Sequence, residues 1–79
     1  MNPPALTTLL ADILGVPAAT LGDATAMADV ETWDSLRHIE LVVRLEESCG
    51  IQLGPDDIVE MVTIGAIRAV LARHGATIA

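Results

Sequence analysis

One serine stands in a sequence context that could support chemistry. Ser35 follows Trp33 and Asp34 and opens a strongly apolar run, within the stretch T-W-D-S-L-R-H-I-E-L-V-V-R-L-E-E at residues 32–47. A helix is expected to begin here, because Asp and Ser are preferred helix N-caps. Two roles are therefore open for Ser35: it caps this helix, as Asp34 also could, or it is a reactive group presented at the helix N-terminus.

A serine hydrolase is one chemistry that this stretch raises, because His38 lies three residues after Ser35. The sequence has no G-x-S-x-G elbow, no third residue placed to orient the imidazole, and nothing that builds an oxyanion hole. We therefore expect His38 to be a helix-surface or half-buried residue rather than a catalytic base.

Composition limits the other classes of function. The chain has 79 residues, one cysteine (Cys49) and no cluster of Cys and His, so one small domain stabilised by packing is expected, without a disulfide or zinc. The net charge of −7, with eleven acidic residues against four arginines, argues against nucleic acid and membrane surfaces and favours basic partners. The first 15 residues lack the basic start of a signal peptide, and no apolar run approaches the ~20 residues of a membrane span. We expect a cytoplasmic protein that is monomeric alone.

The first helix is predicted from apolar residues at i, i+3, i+4, i+7 and i+8. Pro3 and Pro4 sit where it could begin, and Gly15 and Pro17 end it. Its apolar positions are Leu6, Leu9, Leu10, Ile13 and Leu14. Residues 16–34 show no sustained periodicity, and such a long connection is usually functional or disordered. Apolar residues within it predict that it is pinned to the body: Leu21, Met27, Val30 and Trp33.

The second helix should run from Ser35 to Cys49, with Gly50 as its stop. A short helix is predicted to open at Gly54 and Pro55, with two acids, Asp56 and Asp57, favoured at its N-terminus by the helix dipole. Its expected buried side is Ile58, Val59 and Met61.

Thr63 is predicted to cap a last helix that ends at His74 and Gly75. Its apolar face is Ile64, Ile67, Val70 and Leu71. No run is long enough for a strand. The predicted fold is all-α: residues 1–79 form a single domain, a four-helix bundle of three main helices and one short helix, with a long loop between helices 1 and 2.

The second helix is apolar over well over half of its circumference. Its polar side chains share one narrow arc: Arg37, Glu40, Arg44, Glu47 and Ser48. One apolar stripe comprises Leu41, Val42, Leu45 and Cys49, and a second comprises Leu36, Ile39 and Val43. A helix in so small a domain buries one stripe fully but hardly both. The second stripe is therefore either covered by the loop and the short helix, or exposed to a partner or ligand.

The whole pattern resembles the carrier-protein family, that is, acyl carrier proteins and the related peptidyl carrier domains. The resemblance rests on D-S-L at residues 34–36, E-L at 40–41, L-E-E at 45–47 and G-I-x-L at 50–53. The pairs Asp56-Asp57, Thr63-Ile64 and Ala66-Ile67, towards the last helix, also stand where this family has them. Length, acidity and the long loop extend the likeness over nearly the whole chain.

The resemblance implies that Ser35 carries 4′-phosphopantetheine, which a separate phosphopantetheinyl transferase adds from coenzyme A. Asp34 and Leu36 complete the attachment motif. The thiol of the arm then holds an acyl or aminoacyl group as a thioester for pathway enzymes, and the carrier itself is not an enzyme. Implied partners are a loading enzyme (acyltransferase or adenylating ligase) and a ketosynthase or condensation-type enzyme. The implied interface is Leu36, Arg37, Ile39, Glu40, Val43 and Glu47.

Departures from the fatty-acid carriers point to a specialised, stand-alone carrier. Trp33 precedes Asp34 where a small or aliphatic residue is common, Arg37 and Arg44 lie on a helix that is usually acidic, and Cys49 replaces a large aromatic residue. These differences favour polyketide, nonribosomal peptide or another specialised biosynthesis over housekeeping fatty-acid synthesis. The alternative is a non-catalytic helical interaction domain in which Ser35 is only a helix cap.

Overall fold

The computed structural model describes residues 5–76 and residue 78, and within them it is all-α, as predicted. The helices are α1 (Leu6–Leu14), α2 (Ser35–Cys49), α3 (Pro55–Glu60) and α4 (Ile64–Arg73). No strand occurs among the described residues, where β pairing is limited to one isolated antiparallel bridge between Ala26 and Thr63. The prediction that Pro3 and Pro4 begin the first helix lies outside the described residues.

Glycines end the first two main helices, as predicted. Gly15 after α1 has φ 69° and Gly50 after α2 has φ 66°, and their N–H groups bond back to Ala11 and Glu46. Only glycine adopts this left-handed conformation without a steric penalty, which is why it is common at helix C-termini. The predicted bounds of α2 are confirmed.

One apolar core joins the helices. The predicted faces of α1 and α4 are buried, and so are Leu41, Val42 and Leu45 of α2. Cys49, which we expected to be buried with them, is only half-buried at the edge of the core. This partial burial raises the pKa of its thiol, because desolvation disfavours the thiolate.

The long loop is held against this core, as its apolar residues predicted. Two single 3₁₀ turns, Ala18–Thr20 and Met27–Asp29, occur within it. Trp33 is only 3% exposed, which confirms its anchoring role. Thr32 Oγ1 donates to the Leu14 carbonyl at 2.7 Å, and the Met27 N–H donates to the Val62 carbonyl at 2.8 Å. The loop is thereby fixed at both α1 and the segment that precedes α4.

The short helix α3 begins at Pro55, as predicted, and Asp57 Oδ2 accepts the Gly54 N–H at 3.1 Å. Its buried side was predicted in part wrongly, because Val59 is 75% exposed whereas Met61, just past the helix, is fully buried. Ile58 is half-buried against the core. A helix of under two turns rests on the core along a narrow line, and Val59 lies about 100° around the axis from Ile58.

Helix α4 begins at Ile64, and the Oγ1 of the preceding Thr63 accepts the Ala66 N–H at 3.0 Å, so the predicted cap is confirmed. His74 follows the C-terminal end of α4, and its Nε2 lies 2.8 Å from Asp57 Oδ2 of α3. Arg73 Nη2 contacts Asp57 Oδ1 at 3.0 Å and Glu60 Oε2 at 2.8 Å. These ion pairs tie α3 to the end of α4.

Candidate functional site

Ser35 is exposed at the first residue of α2, and the cap of that helix is Asp34. Asp34 has extended backbone angles, and its Oδ1 accepts the Arg37 N–H at 2.9 Å. The alternative in which Ser35 serves as the helix cap is therefore wrong. An N-cap must lie just outside the helical φ/ψ region, and Ser35 is already inside the helix.

The surroundings of Ser35 suit a phosphate diester. The first N–H groups of an α-helix have no carbonyl partner within the helix, and the dipole makes this end positive. Arg37 adds a guanidinium one turn away, with Nη1 at 3.8 Å from Asp34 Oδ2 in a largely exposed pair. The Asp34 carboxylate repels the negative charge of a phosphate on Ser35, and the Arg37 guanidinium partly offsets this repulsion. An exposed hydroxyl at such a helix N-terminus fits the attachment of a phosphate group.

The second apolar stripe of α2 is exposed, which decides between the two alternatives left by the sequence. Leu36 is 75%, Ile39 51% and Val43 46% exposed. The long loop and α3 both contact α2 beside these side chains but leave them exposed. We call Leu36, Ile39 and Val43 the apolar strip of α2.

Charged side chains flank this apolar strip. Glu40 and Glu47 are exposed on α2, and Arg37 is half-exposed. Arg44 Nη2 instead reaches Asp12 Oδ2 of α1 at 3.4 Å. All six predicted interface residues thus lie at least partly at the surface, and their contact with partners remains a prediction.

A groove of about 280 Å³ opens beside Ser35, between α2 and the region of α3. Its lining is Met27, Ser35, His38, Ile39, Ile58, Val59 and Val62. The sequence did not predict that Val59 and Val62 line this groove. Their role depends on where a six-residue helix lies against α2, which no local periodicity reports. A second groove of about 420 Å³ shares Ile39 with the first and extends to Leu36, Arg37, Glu40 and Ile13.

His38 is buried, at 7% exposure, so its expected place at the surface or half-buried is wrong. Trp33 Nε1 donates to His38 Nδ1 at 3.0 Å, and His38 Nε2 lies 3.0 Å from the Ile58 carbonyl oxygen. Both ring nitrogens are therefore engaged. No lone pair remains on the imidazole to take a proton from Ser35, which further disfavours a Ser-His hydrolase.

In the part of the chain that the structure describes, no three His, Cys, Asp or Glu side chains converge as metal ligands would. Asp56, Asp57 and Glu60 act there as helix-end and ion-pair groups. None of the described helices combines the length and apolarity that crossing a bilayer requires.

Comparison with models of known protein families gives a match over most of the chain. Residues 4–71 match the family model described as the phosphopantetheine attachment site. The matched range takes in α1, the long loop, α2, α3 and most of α4. A comparison with curated protein sequences finds no match.

Proposed function

The chain belongs to the phosphopantetheine-attachment family, and on that premise we propose that it is an acyl or aminoacyl carrier protein modified at Ser35. Members of this family are attachment sites for 4′-phosphopantetheine. The observation that carries the proposal is the exposed hydroxyl at the first residue of α2, left free by a cap that Asp34 provides. Asp34 and Leu36 flank it as the rest of the attachment motif.

The attachment reaction places one demand on this chain, an accessible serine. Ser35 Oγ forms the new phosphodiester bond, the nucleotide part of coenzyme A leaves, and the serine proton must be taken up by a base. His38 is unsuited to that task because both of its nitrogens are hydrogen-bonded. The proposal assigns the base to a phosphopantetheinyl transferase, for which this protein is the substrate.

The groove beside Ser35 is suited to the arm. Ile39, Val59 and Val62 give it an apolar lining into which methylene and methyl groups can pack. When bound, the arm supplies a thiol that can hold an acyl or aminoacyl group as a thioester. The chain's own residues then orient the arm and shield it in part from water.

The apolar strip of α2 is the proposed docking surface for pathway enzymes. Leu36, Ile39 and Val43 supply apolar contacts, and Glu40 and Glu47 supply negative charge at their side. Partners with a basic rim around an apolar site fit this surface, and the net charge of −7 favours their approach. The proposed partners are the phosphopantetheinyl transferase, an acyltransferase or adenylating ligase that loads the arm, and a ketosynthase or condensation-type enzyme that receives the cargo.

The proposed setting is polyketide, nonribosomal peptide or another specialised biosynthesis. Support comes from Trp33 before the attachment motif and from Arg37 and Arg44 on α2, where fatty-acid carriers usually keep acidic residues. Arg37 adjoins the attachment site itself, so it can discriminate among partners.

The test is intact mass after incubation with coenzyme A, magnesium and a broad-specificity phosphopantetheinyl transferase. The wild type should gain one phosphopantetheine, and Ser35→Ala should gain none. Ser48→Ala, which removes another exposed serine of α2, is the matched control and should be modified like the wild type. A folded wild type that gains no mass, or a Ser35→Ala variant that does, would overturn the proposal.

A further inference from the structure

A buried hydrogen-bonded chain joins three segments around the attachment site. It runs from the indole of Trp33, two residues before Ser35, through the imidazole of His38 to the carbonyl of Ile58 in α3. Both links measure 3.0 Å, and the Trp33 and His38 side chains are almost fully buried. The proposed attachment reaction makes no use of this chain.

The partners of His38 determine its protonation. An indole N–H can only donate, so Nδ1 must be an unprotonated acceptor, and a carbonyl can only accept, so Nε2 must carry the hydrogen. The two contacts thus require the same species, a neutral imidazole protonated at Nε2. In either of the other two protonation states, two N–H groups would face each other at Trp33.

The position of helix α3 depends on the contact between His38 and the Ile58 carbonyl. None of its residues, Pro55 to Glu60, is fully buried. Its ion pairs at Asp57 and Glu60 are made with Arg73 and His74 at the end of α4, and none of them is made with α2. Among the described residues, the bond from His38 to Ile58 is the hydrogen bond that joins α2 to α3. It therefore limits how far α3 can move from the start of α2.

The same bond borders the groove, since His38 and Ile58 both line it together with Ser35. We propose that His38 is a positioning residue, which holds α3 against the start of α2 as a neutral Nε2–H imidazole and so sets the shape of the surface that surrounds Ser35. Only its effect on modification rests on the proposed carrier function. The holding of α3 is a property of the unmodified protein.

The first test needs no variant. The ¹⁵N chemical shifts of the imidazole nitrogens of the unmodified wild type at neutral pH report which of them carries hydrogen. We expect protonated Nε2 and unprotonated Nδ1 for His38. Hydrogen on Nδ1 at neutral pH would overturn the proposal.

The second test compares His38→Leu, which removes both hydrogen bonds, with His38→Gln, whose amide offers one donor and one acceptor. Hydrogen exchange at the Trp33 indole and at the α3 amides should accelerate roughly tenfold in His38→Leu, the change expected when one hydrogen bond no longer holds a local opening closed. His38→Gln should restore part of the protection. Ile67→Val, which trims a fully buried side chain of α4, is the control, and in this variant any acceleration should not be concentrated in the α3 amides. Equal acceleration throughout His38→Leu would overturn the proposal.

The third test separates positioning from general stability. In the transferase reaction, His38→Leu should raise the KM for the carrier while kcat stays near the wild-type value, because the chemistry lies in the transferase and only the presented surface has changed. Ile67→Val should leave both constants unchanged. An unchanged KM in a His38→Leu variant that is modified at Ser35 would overturn the positioning role and leave the carrier function intact.

Discussion

Asp34 Oδ1 accepts the backbone N–H of Arg37 at 2.9 Å, one residue ahead of the serine that the family resemblance marks for modification. The residue that caps α2 and the residue proposed for modification are thus neighbours but distinct. Stability and modification can therefore be changed separately at this site.

Replacing Asp34 should destabilise the fold, whereas replacing Ser35 should not. Asp34→Ala removes the N-cap and should lower the free energy of unfolding by about 1 kcal/mol. Ser35→Ala should change it by less than about 0.5 kcal/mol, as surface substitutions usually do, while it abolishes modification. Urea unfolding measures both. Asp34→Asn keeps a capping oxygen and is the control, and a Ser35→Ala loss as large as that of Asp34→Ala would contradict the assignment of the cap.

The two apolar stripes of α2 should respond in opposite ways to truncation. Leu36→Ala should leave the free energy of unfolding within about 0.5 kcal/mol of wild type, because the side chain is 75% exposed. Leu45→Ala, in the core, should lower it by about 2–5 kcal/mol.

Leu36→Ala should instead weaken docking. Truncating an interface anchor costs more than about 1 kcal/mol, so the KM for the transferase should rise roughly fivefold or more. Steady-state kinetics of modification measure it, with Ala28→Ser, at an exposed position of the loop, as control. A KM equal to that of the wild type would remove Leu36 from the docking surface.

The Asp57 ion pairs should make stability depend on acid pH. The hydrogen bond from His74, then the Gly54 N–H, and lastly the charges of His74 and Arg73 hold the pKa of Asp57 below its ordinary value, against an opposing effect of burial. A carboxyl with a lowered folded-state pKa contributes stability above its unfolded pKa, near 4, and loses it as pH falls through the folded value.

Asp57→Asn should therefore lower stability at neutral pH and show a shallower loss on acidification than the wild type. Thermal unfolding between pH 7 and pH 2 measures the difference between the two curves. Asp56→Asn removes the adjacent exposed carboxylate and serves as the control. Parallel curves for wild type and Asp57→Asn would contradict the role of this carboxylate.

Cys49 should react slowly with alkylating reagents. Its raised pKa lowers the fraction of thiolate at neutral pH, and the thiolate is the reactive species. Alkylation by iodoacetamide should be slower than that of a small free thiol and should accelerate in urea, which removes the burial. In modified protein, the thiol of the arm should then be labelled before Cys49. Equal rates in the folded and unfolded protein would contradict the effect of burial.

Sequence patterns predicted the bounds of the helices better than the exposure of individual side chains on them. Gly50 and Thr63 mark helix ends through local backbone chemistry, so the bounds of α2 and the start of α4 could be read directly. The sequence could not predict whether Asp34 or Ser35 is the N-cap, because both residue types are common caps. The backbone angles of Asp34 in the folded protein make it the cap. The exposure of Val59 likewise follows from packing of a helix too short to define a face.

The burial of His38 was missed for a different reason. Its two hydrogen-bond partners lie five residues before it and twenty residues after it, and only the fold brings them together. An isolated histidine on a helix gives no local signal of such a pair. The candidate attachment serine itself was found through resemblance, since D-S-L at a helix start is otherwise ordinary.

Trp33 is the chain's one residue among Phe, Trp and Tyr. Its near-ultraviolet absorption and intrinsic fluorescence therefore arise from a single buried indole, hydrogen-bonded to His38 and two residues from Ser35. Emission from unlabelled protein is consequently a reporter that the molecule carries beside its own site. The proposed attachment of the arm, delivery of cargo and docking of a partner that contains no tryptophan can each be monitored through the emission of this one ring.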